Sequence, residues 1–234
     1  MAEGKPQAGP ARRSLNHYAV FRFTPAFWDA GAAEQKKIGA DLAAATRAAA
    51  ERVYAYRIFP ARPEADFLLW SAARIDAPES PARFIHDFAR AIGRFRRWIE
   101  PVNTLWGFTR GSEYASGRSA QDIDPFDDKR SPYLVIYPFA KTIAWYLMSR
   151  DARQGMMNEH IRIGREYPEI TQLLLYSTGL QDQEFVVSYE TDDLPKFSEL
   201  VTALRDTEAR RYTLTDTPNY AATLVAFEEL FELA

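Results

Sequence analysis

The sequence contains no cysteine. Disulfides, thiolate metal centres, thiol nucleophiles and a cysteine-ligated haem are therefore excluded. A chain without cysteine suits a reducing compartment. Only three histidines occur, His17, His86 and His160, which disfavours any site built from clustered imidazoles. No apolar run approaches the roughly 18 residues that a membrane span needs. Residues 1–13 are small, polar and rich in proline and glycine, without the apolar stretch of a secretory signal. These absences predict a soluble, cytoplasmic protein with a flexible tail over 1–13. Basic residues number 29 against 32 acidic ones, a formal charge of −3, so the basic surplus of a nucleic-acid binder is missing. The glycine-rich phosphate loops, zinc-protease helix, nucleophile elbow and paired-cysteine motifs are missing too.

What is present is globular. Hydrophobic residues make up 47% and charged residues 26% of 234 positions, which rules out wholesale disorder. The residues do not repeat, but the order of elements does. Tyr18–Thr24 alternates as a strand, Phe27–Glu51 reads as a helix, and Arg52–Phe59 with Asp66–Ile75 reads as a strand pair. Phe84, Phe88, Ile92, Phe95 and Trp98 then recur at helical spacing within Pro78–Glu100, before a strand over Val102–Thr109. A polar stretch over 111–131 follows, and the order recurs. Strands are predicted over Tyr133–Pro138, Thr171–Ser177, Glu184–Glu190 and Arg210–Leu214. Helices are predicted over Trp145–Gly164, Leu194–Arg205 and Ala221–Ala234. Two β-α-β-β-α-β units are two ferredoxin-like halves of an α+β protein. They divide the chain into 14–110, a connecting loop over 111–131, and 132–234.

Three stretches in the second half can carry chemistry. On a helix, Met156, Met157, His160, Ile163 and Gly164 share a face, which suits either a flat apolar ligand held by one axial imidazole or a core histidine. Pro138 should turn the chain out of its strand, leaving Tyr137 at a sheet end with Lys141 beyond it. That pair would meet an anionic group, or would be an interfacial phenol and a solvated amine. Arg205, Arg210 and Arg211 crowd with Asp206 and Glu208 into nine residues, either a solvated helix end or an anion-binding rim with a carboxylate to orient His160.

Taken in order, YPFAKTIAWY, MMNEHIRIG, LYSTGLQDQEF, ETDDL and LRDTEARRY make the chain resemble the chlorite dismutase-like haem proteins. The resemblance covers most of 105–215, with Ser112-Glu113-Tyr114 added. It implies a dimeric α+β barrel made of two ferredoxin-like halves, assembled as a homo-oligomeric ring, often a pentamer. Two activities dominate such proteins: chlorite decomposition to chloride and dioxygen, and decarboxylation of iron coproporphyrin III (coproheme) to haem b. Chlorite dismutases resemble one another in a distal arginine where this chain has Gln172, and in an apolar residue where it has Tyr137. Both positions match the decarboxylases, as does Lys141. The resemblance therefore implies a peroxide-dependent coproheme decarboxylase acting through a tyrosyl radical. His160 would be the axial iron ligand, with Glu208 as its carboxylate partner. Tyr137 and Lys141 would be catalytic, and Gln172 and Trp145 would line the distal pocket. Arg205, Arg210 and Arg130 would face propionates, and Phe185 stands where a tryptophan is common. The alternatives are a chlorite dismutase with a neutral distal pocket, and a haem-binding protein with no catalysis.

Overall fold

The computed structural model describes residues 13–114 and 119–232. Most of the tail predicted over 1–13, the centre of the connecting loop and the last two residues lie outside them.

Nine strands and six α-helices follow one another as β1 (Ser14–Phe23), α1 (Pro25–Trp28), α2 (Ala32–Ala49), β2 (Arg52–Arg57), β3 (Phe67–Arg74), α3 (Ser80–Gly93), β4 (Ile99–Thr109), β5 (Tyr133–Lys141), α4 (Ile143–Leu147), α5 (Arg150–Arg165), β6 (Thr171–Tyr176), β7 (Phe185–Thr191), α6 (Leu194–Arg205), β8 (Thr213–Thr215) and β9 (Tyr220–Val225). Two 3-10 turns, Glu208–Tyr212 and Glu228–Phe231, complete the elements of the described residues.

The strands run in the order β7-β6-β4-β1-β3-β2-β9-β5, and β5 pairs again with β7. That second pairing closes eight strands into a barrel, with the short β8 appended to β5. Closure removes the free edges that an open sheet would expose. The expected α+β barrel of two ferredoxin-like halves is the observed one.

Alternation along each strand sorts side chains between the interior and a surrounding helix layer. Tyr18, Val20, Tyr56, Leu68, Trp70, Leu134, Ile136, Leu173, Leu175 and Val186 fill the interior. Around the first half, Leu15, Ala19, Phe21, Phe67 and Leu69 pack outward against Ile38, Leu42, Phe84, Phe88 and Ile92. Around the second, Val135, Val187 and Tyr189 pack outward against Phe197 and Leu200 of α6.

Five expectations need correction. The helix expected over Phe27–Glu51 is broken by the turn at Asp29–Gly31, and that over Trp145–Gly164 by Met148 and Ser149. Ser149 caps α5, its Oγ accepting from the Ala152 N–H at 3.2 Å. The strand expected over Arg210–Leu214 is mostly a 3-10 turn, with β8 following it.

Pro138 does not end its strand. β5 continues to Lys141, and Pro138 pairs with Val186 of β7. On its other side, β9 has stopped at Ile136 and β8 begins only at Ala140, so no ladder there requires the missing N–H.

The terminal helix expected over Ala221–Ala234 is instead β9 and a 3-10 turn. β9 lies between β2 and β5, where two unpaired edges outweigh the helix preference of its alanines. Phe227, Leu230 and Phe231 then cross to the helix layer of the first half, so 132–234 is not one half by itself. Gly39 admits them, since a Cβ there would sit 2.6 Å from the Phe231 ring.

Candidate functional site

Helix α5 carries a basic and polar sequence and buries none of its residues. It packs against α6 and the Glu208–Tyr212 turn rather than closing on the barrel. Below it, the outer face of the second half presents Gln172, Leu174 and Tyr176 on β6, and Phe185 and Val187 on β7. Leu174 is 37% exposed, unusual for a leucine at the centre of a sheet face. The partly uncovered sheet face on the α5 side, where Gln172 and Leu174 are exposed, is the candidate slot.

His160 lies on α5. Burial lowers its pKa to about 4, and the charge of Lys141 lowers it further while Glu159 opposes. The imidazole is therefore neutral at pH 7, with a lone pair available. Among the described residues, no hydrogen bond to it is formed.

Tyr137 points outward from β5 into the helix-side layer. Its ring stacks on Tyr189 with centroids 6.1 Å apart and planes at 28°. The neighbouring phenols act on each other in opposite senses, Tyr189 raising the pKa of Tyr137 and Tyr137 lowering that of Tyr189. Burial is the larger cause and pushes the Tyr137 phenol well above its ordinary range. Tyr137 lines an open cleft together with Phe197, Val201, Arg205, Asp216 and Asn219.

Lys141 ends the same strand. Its N–H donates to Glu184 Oε2 at 2.7 Å, and its Nζ reaches Ala209 O at 3.3 Å and Thr213 Oγ1 at 3.4 Å. The ammonium lies 4.7 Å from the centroid of the buried Trp145 ring. Among the described residues no carboxylate pairs with its ammonium, and burial, then Arg210, lowers its pKa to about 8. Arg210 Nη1 donates to Asp216 Oδ2 at 2.5 Å, and Arg205 Nη2 lies 3.9 Å from the same oxygen. Tyr137, Lys141, Arg205 and Arg210 thus converge on one end of the slot. Phe185 stacks on Phe139 at 4.8 Å. Gln172 is exposed on β6, beside Tyr189 in register.

Two expected residues fall elsewhere. The Glu208 carboxylate pairs with Arg211 at 3.4 Å, three residues on in the same turn. Its backbone N–H, not its side chain, reaches α5, donating to Glu159 at 3.3 Å. Arg130 is inside the barrel. It pairs with Glu190 at 3.4 Å, with both side chains almost fully buried, and sits over the rings of Tyr54 and Trp70. Glu190 alternates with Tyr189 on β7, so its partner is on the opposite side of the sheet from Tyr137. A sheet separates Arg130 from the slot, and it cannot face a ligand there.

Sequence reasoning missed Tyr189, Asp216 and Gln121. The Gln121 Nε2 donates to the carbonyls of Gly164, Tyr167 and Ile170 at 3.1, 2.9 and 3.1 Å, capping the end of α5. Period-two alternation from Val187 would have put Tyr189 on the face of Tyr137. Nothing in the local pattern marks Asp216 or Gln121.

The donor set fits an iron tetrapyrrole. A neutral imidazole without a hydrogen-bond partner among the described residues stands on α5, and Arg205 and Arg210 gather around Asp216 with Lys141 nearby.

A family model described as chlorite dismutase matches residues 33–225. A coproheme decarboxylase of Mycolicibacterium smegmatis is 29% identical over 179 residues, spanning 75% of this chain and 74% of that protein. A coproheme decarboxylase of Staphylococcus carnosus is 29% identical over 166 residues, 64% of each chain. The structure of chlorite dismutase from Candidatus Nitrospira defluvii in complex with imidazole superposes with a TM-score of 0.80 at 21% identity, over 94% of both chains. At that identity the likeness is one of fold.

Proposed function

The chain belongs to the chlorite dismutase family, and from that premise we propose that it decarboxylates iron coproporphyrin III to haem b, with hydrogen peroxide as oxidant. The observation that carries this reading is Tyr137. Its phenol shares a cleft with Arg205 and lies on the strand that ends at Lys141.

Bound iron tetrapyrrole and peroxide together supply two oxidising equivalents for each arm that reacts. His160 holds the iron through its neutral imidazole. Half-buried Lys141 and exposed Arg205 orient propionate carboxylates through charge-assisted hydrogen bonds. Tyr137 carries the oxidising equivalent. It loses an electron and a proton together, then takes a hydrogen atom from the propionate carbon next to the ring. Carbon dioxide leaves with the second electron, and a vinyl group remains. For each propionate, one carbon dioxide, two electrons and one proton depart, and one peroxide becomes two waters. Two arms react, so two peroxides are consumed.

The raised pKa of Tyr137 keeps the phenol protonated at neutral pH, so a hydrogen atom and not an electron alone is exchanged. Gln172, neutral and exposed on the slot floor, supplies no charge to hold chlorite, which disfavours the chlorite dismutase reading. By the same resemblance the working form is a cytoplasmic ring of identical subunits, a pentamer.

Mass spectrometry of coproheme incubated with the protein and peroxide tests the reaction. Two successive losses matching decarboxylation are expected. Oxygen evolution from chlorite without those losses overturns the assignment. Tyr137→Phe should bind coproheme with near-native affinity yet lose at least about a hundredfold in vinyl formation. Full turnover in that variant removes the phenol from the mechanism.

A further inference from the structure

Asp216 is the carboxylate shared by both arginines at the cationic end of the slot. Arg210 is bonded to it at 2.5 Å, Arg205 approaches it at 3.9 Å, and it lines the same cleft as the Tyr137 ring. Its side chain is 21% exposed, so it is open to the cleft. Arg205 makes no other bond among the described residues and is 55% exposed, which leaves most of its donor fork free. The Lys141 ammonium has no carboxylate partner among the described residues. Local charge is thus two arginines against Asp216, with Lys141 beside Glu184, whose carboxylate accepts from the Tyr146 hydroxyl and the Lys141 N–H.

An incoming carboxylate beside Tyr137 meets arginines that already have an anion. It gains their attraction and suffers the repulsion of Asp216. The net attraction is smaller than the arginines alone would give. A tetrapyrrole arm that has become a vinyl group has no such interaction, favourable or unfavourable.

We propose that Asp216 is a specificity-determining residue: an internal carboxylate that competes with the substrate's reacting carboxylate for Arg205 and Arg210, and so limits how far the site prefers a four-carboxylate tetrapyrrole over its two-carboxylate product. This rests on the function proposed above. Asp216 keeps the arginines oriented without a ligand and takes them back as each carboxylate is lost. A tighter hold on the unreacted arm would come without it.

The test measures binding of metal-free coproporphyrin III and metal-free protoporphyrin IX by fluorescence quenching, so that neither iron ligation nor turnover contributes. The native protein should prefer the four-carboxylate porphyrin. If it does not, the substrate assignment fails and the role of Asp216 fails with it. Where that preference is present, Asp216→Asn should bind coproporphyrin about three- to tenfold more tightly and leave protoporphyrin within about twofold. The gain should shrink as salt is raised to about 0.5 M. Asp216→Glu, which keeps the charge, should return the native preference. Arg205→Gln should weaken coproporphyrin binding and abolish the gain when combined with Asp216→Asn. Unchanged or weaker coproporphyrin binding by Asp216→Asn, or an equal gain for both porphyrins, overturns the proposal and leaves the substrate assignment standing.

Discussion

In the first half of the barrel, helices α2 and α3 close on the sheet. Ile38, Leu42, Phe84, Phe88 and Ile92 are buried there, and Phe227, Leu230 and Phe231 arrive from the far end of the chain to finish the layer. In the second half, the equivalent layer is incomplete. Helix α6 buries Phe197 and Leu200, while α5 buries nothing. The same order of elements is thus filled on one side and left open on the other. Each half also sets a histidine in this layer. His17 lies edge-on to Phe84 and Phe88, with centroids 5.8 and 4.8 Å away, and its Nδ1 is buried without a partner. His160 has no ring contact among the described residues. Burial lowers both to a pKa of about 4, so titration alone does not separate a core histidine from a ligand. What separates them is the pair of phenylalanine rings packed against His17.

The sharpest way to break this comparison is to remove each histidine. His160→Ala should abolish the Soret shift on titration with ferric coproheme, whereas His17→Leu should leave it intact. A native Soret response from His160→Ala would move the iron ligand elsewhere. Next in size is the packing contrast. Phe88→Ala should cost about 3–5 kcal/mol in urea unfolding, because a filled layer cannot collapse around the lost ring. Ile163→Ala, on the unfilled side, should cost less than about 1.5 kcal/mol. Equal losses would mean that α5 is as tightly seated as α3.

The smallest effect is on pH dependence. His17 has a folded pKa of about 4 against an ordinary 6.5, so between those values the unfolded chain binds the proton and the folded chain does not. Stability is therefore full above the unfolded pKa and is lost as pH falls toward 4. The His17 share amounts to about 2 kcal/mol between pH 7.5 and 5. Unfolding curves of the native protein and of His17→Leu at both pH values isolate it, since the carboxylates are common to both. Parallel curves would show that the imidazole is solvated.

The repeat was legible because period-two and period-3.6 patterns survive in each element, and because Pro and Gly mark most turns. β9 was not legible. Its Ala221 and Ala222 speak for a helix, and only the two open edges of β2 and β5, distant in sequence, decide otherwise. Pro138 misled for a related reason, since its permissible place depends on where two other strands stop. At the candidate site, the residues next to conspicuous neighbours were found: His160 among methionines, Tyr137 before a proline, Lys141 soon after. Arg130 was placed wrongly because a cation in a loop gives no sign of which side of a sheet it will enter, and here Glu190 inside the barrel draws it in. Asp216 was invisible because its meaning is set by arginines converging from a helix and a turn.

The connection between the halves has one more effect. Near one end of α5, Tyr114 O accepts from Gln154 and Glu113 O from Arg150; at the other, Gln121 holds three carbonyls. The segment that joins the two repeats is therefore also the brace of a helix that has little else beneath it. Lengthening or shortening that segment would disturb the carrier of His160 before it disturbed the ring of strands, so the distance between imidazole and slot floor is tuned from the joint.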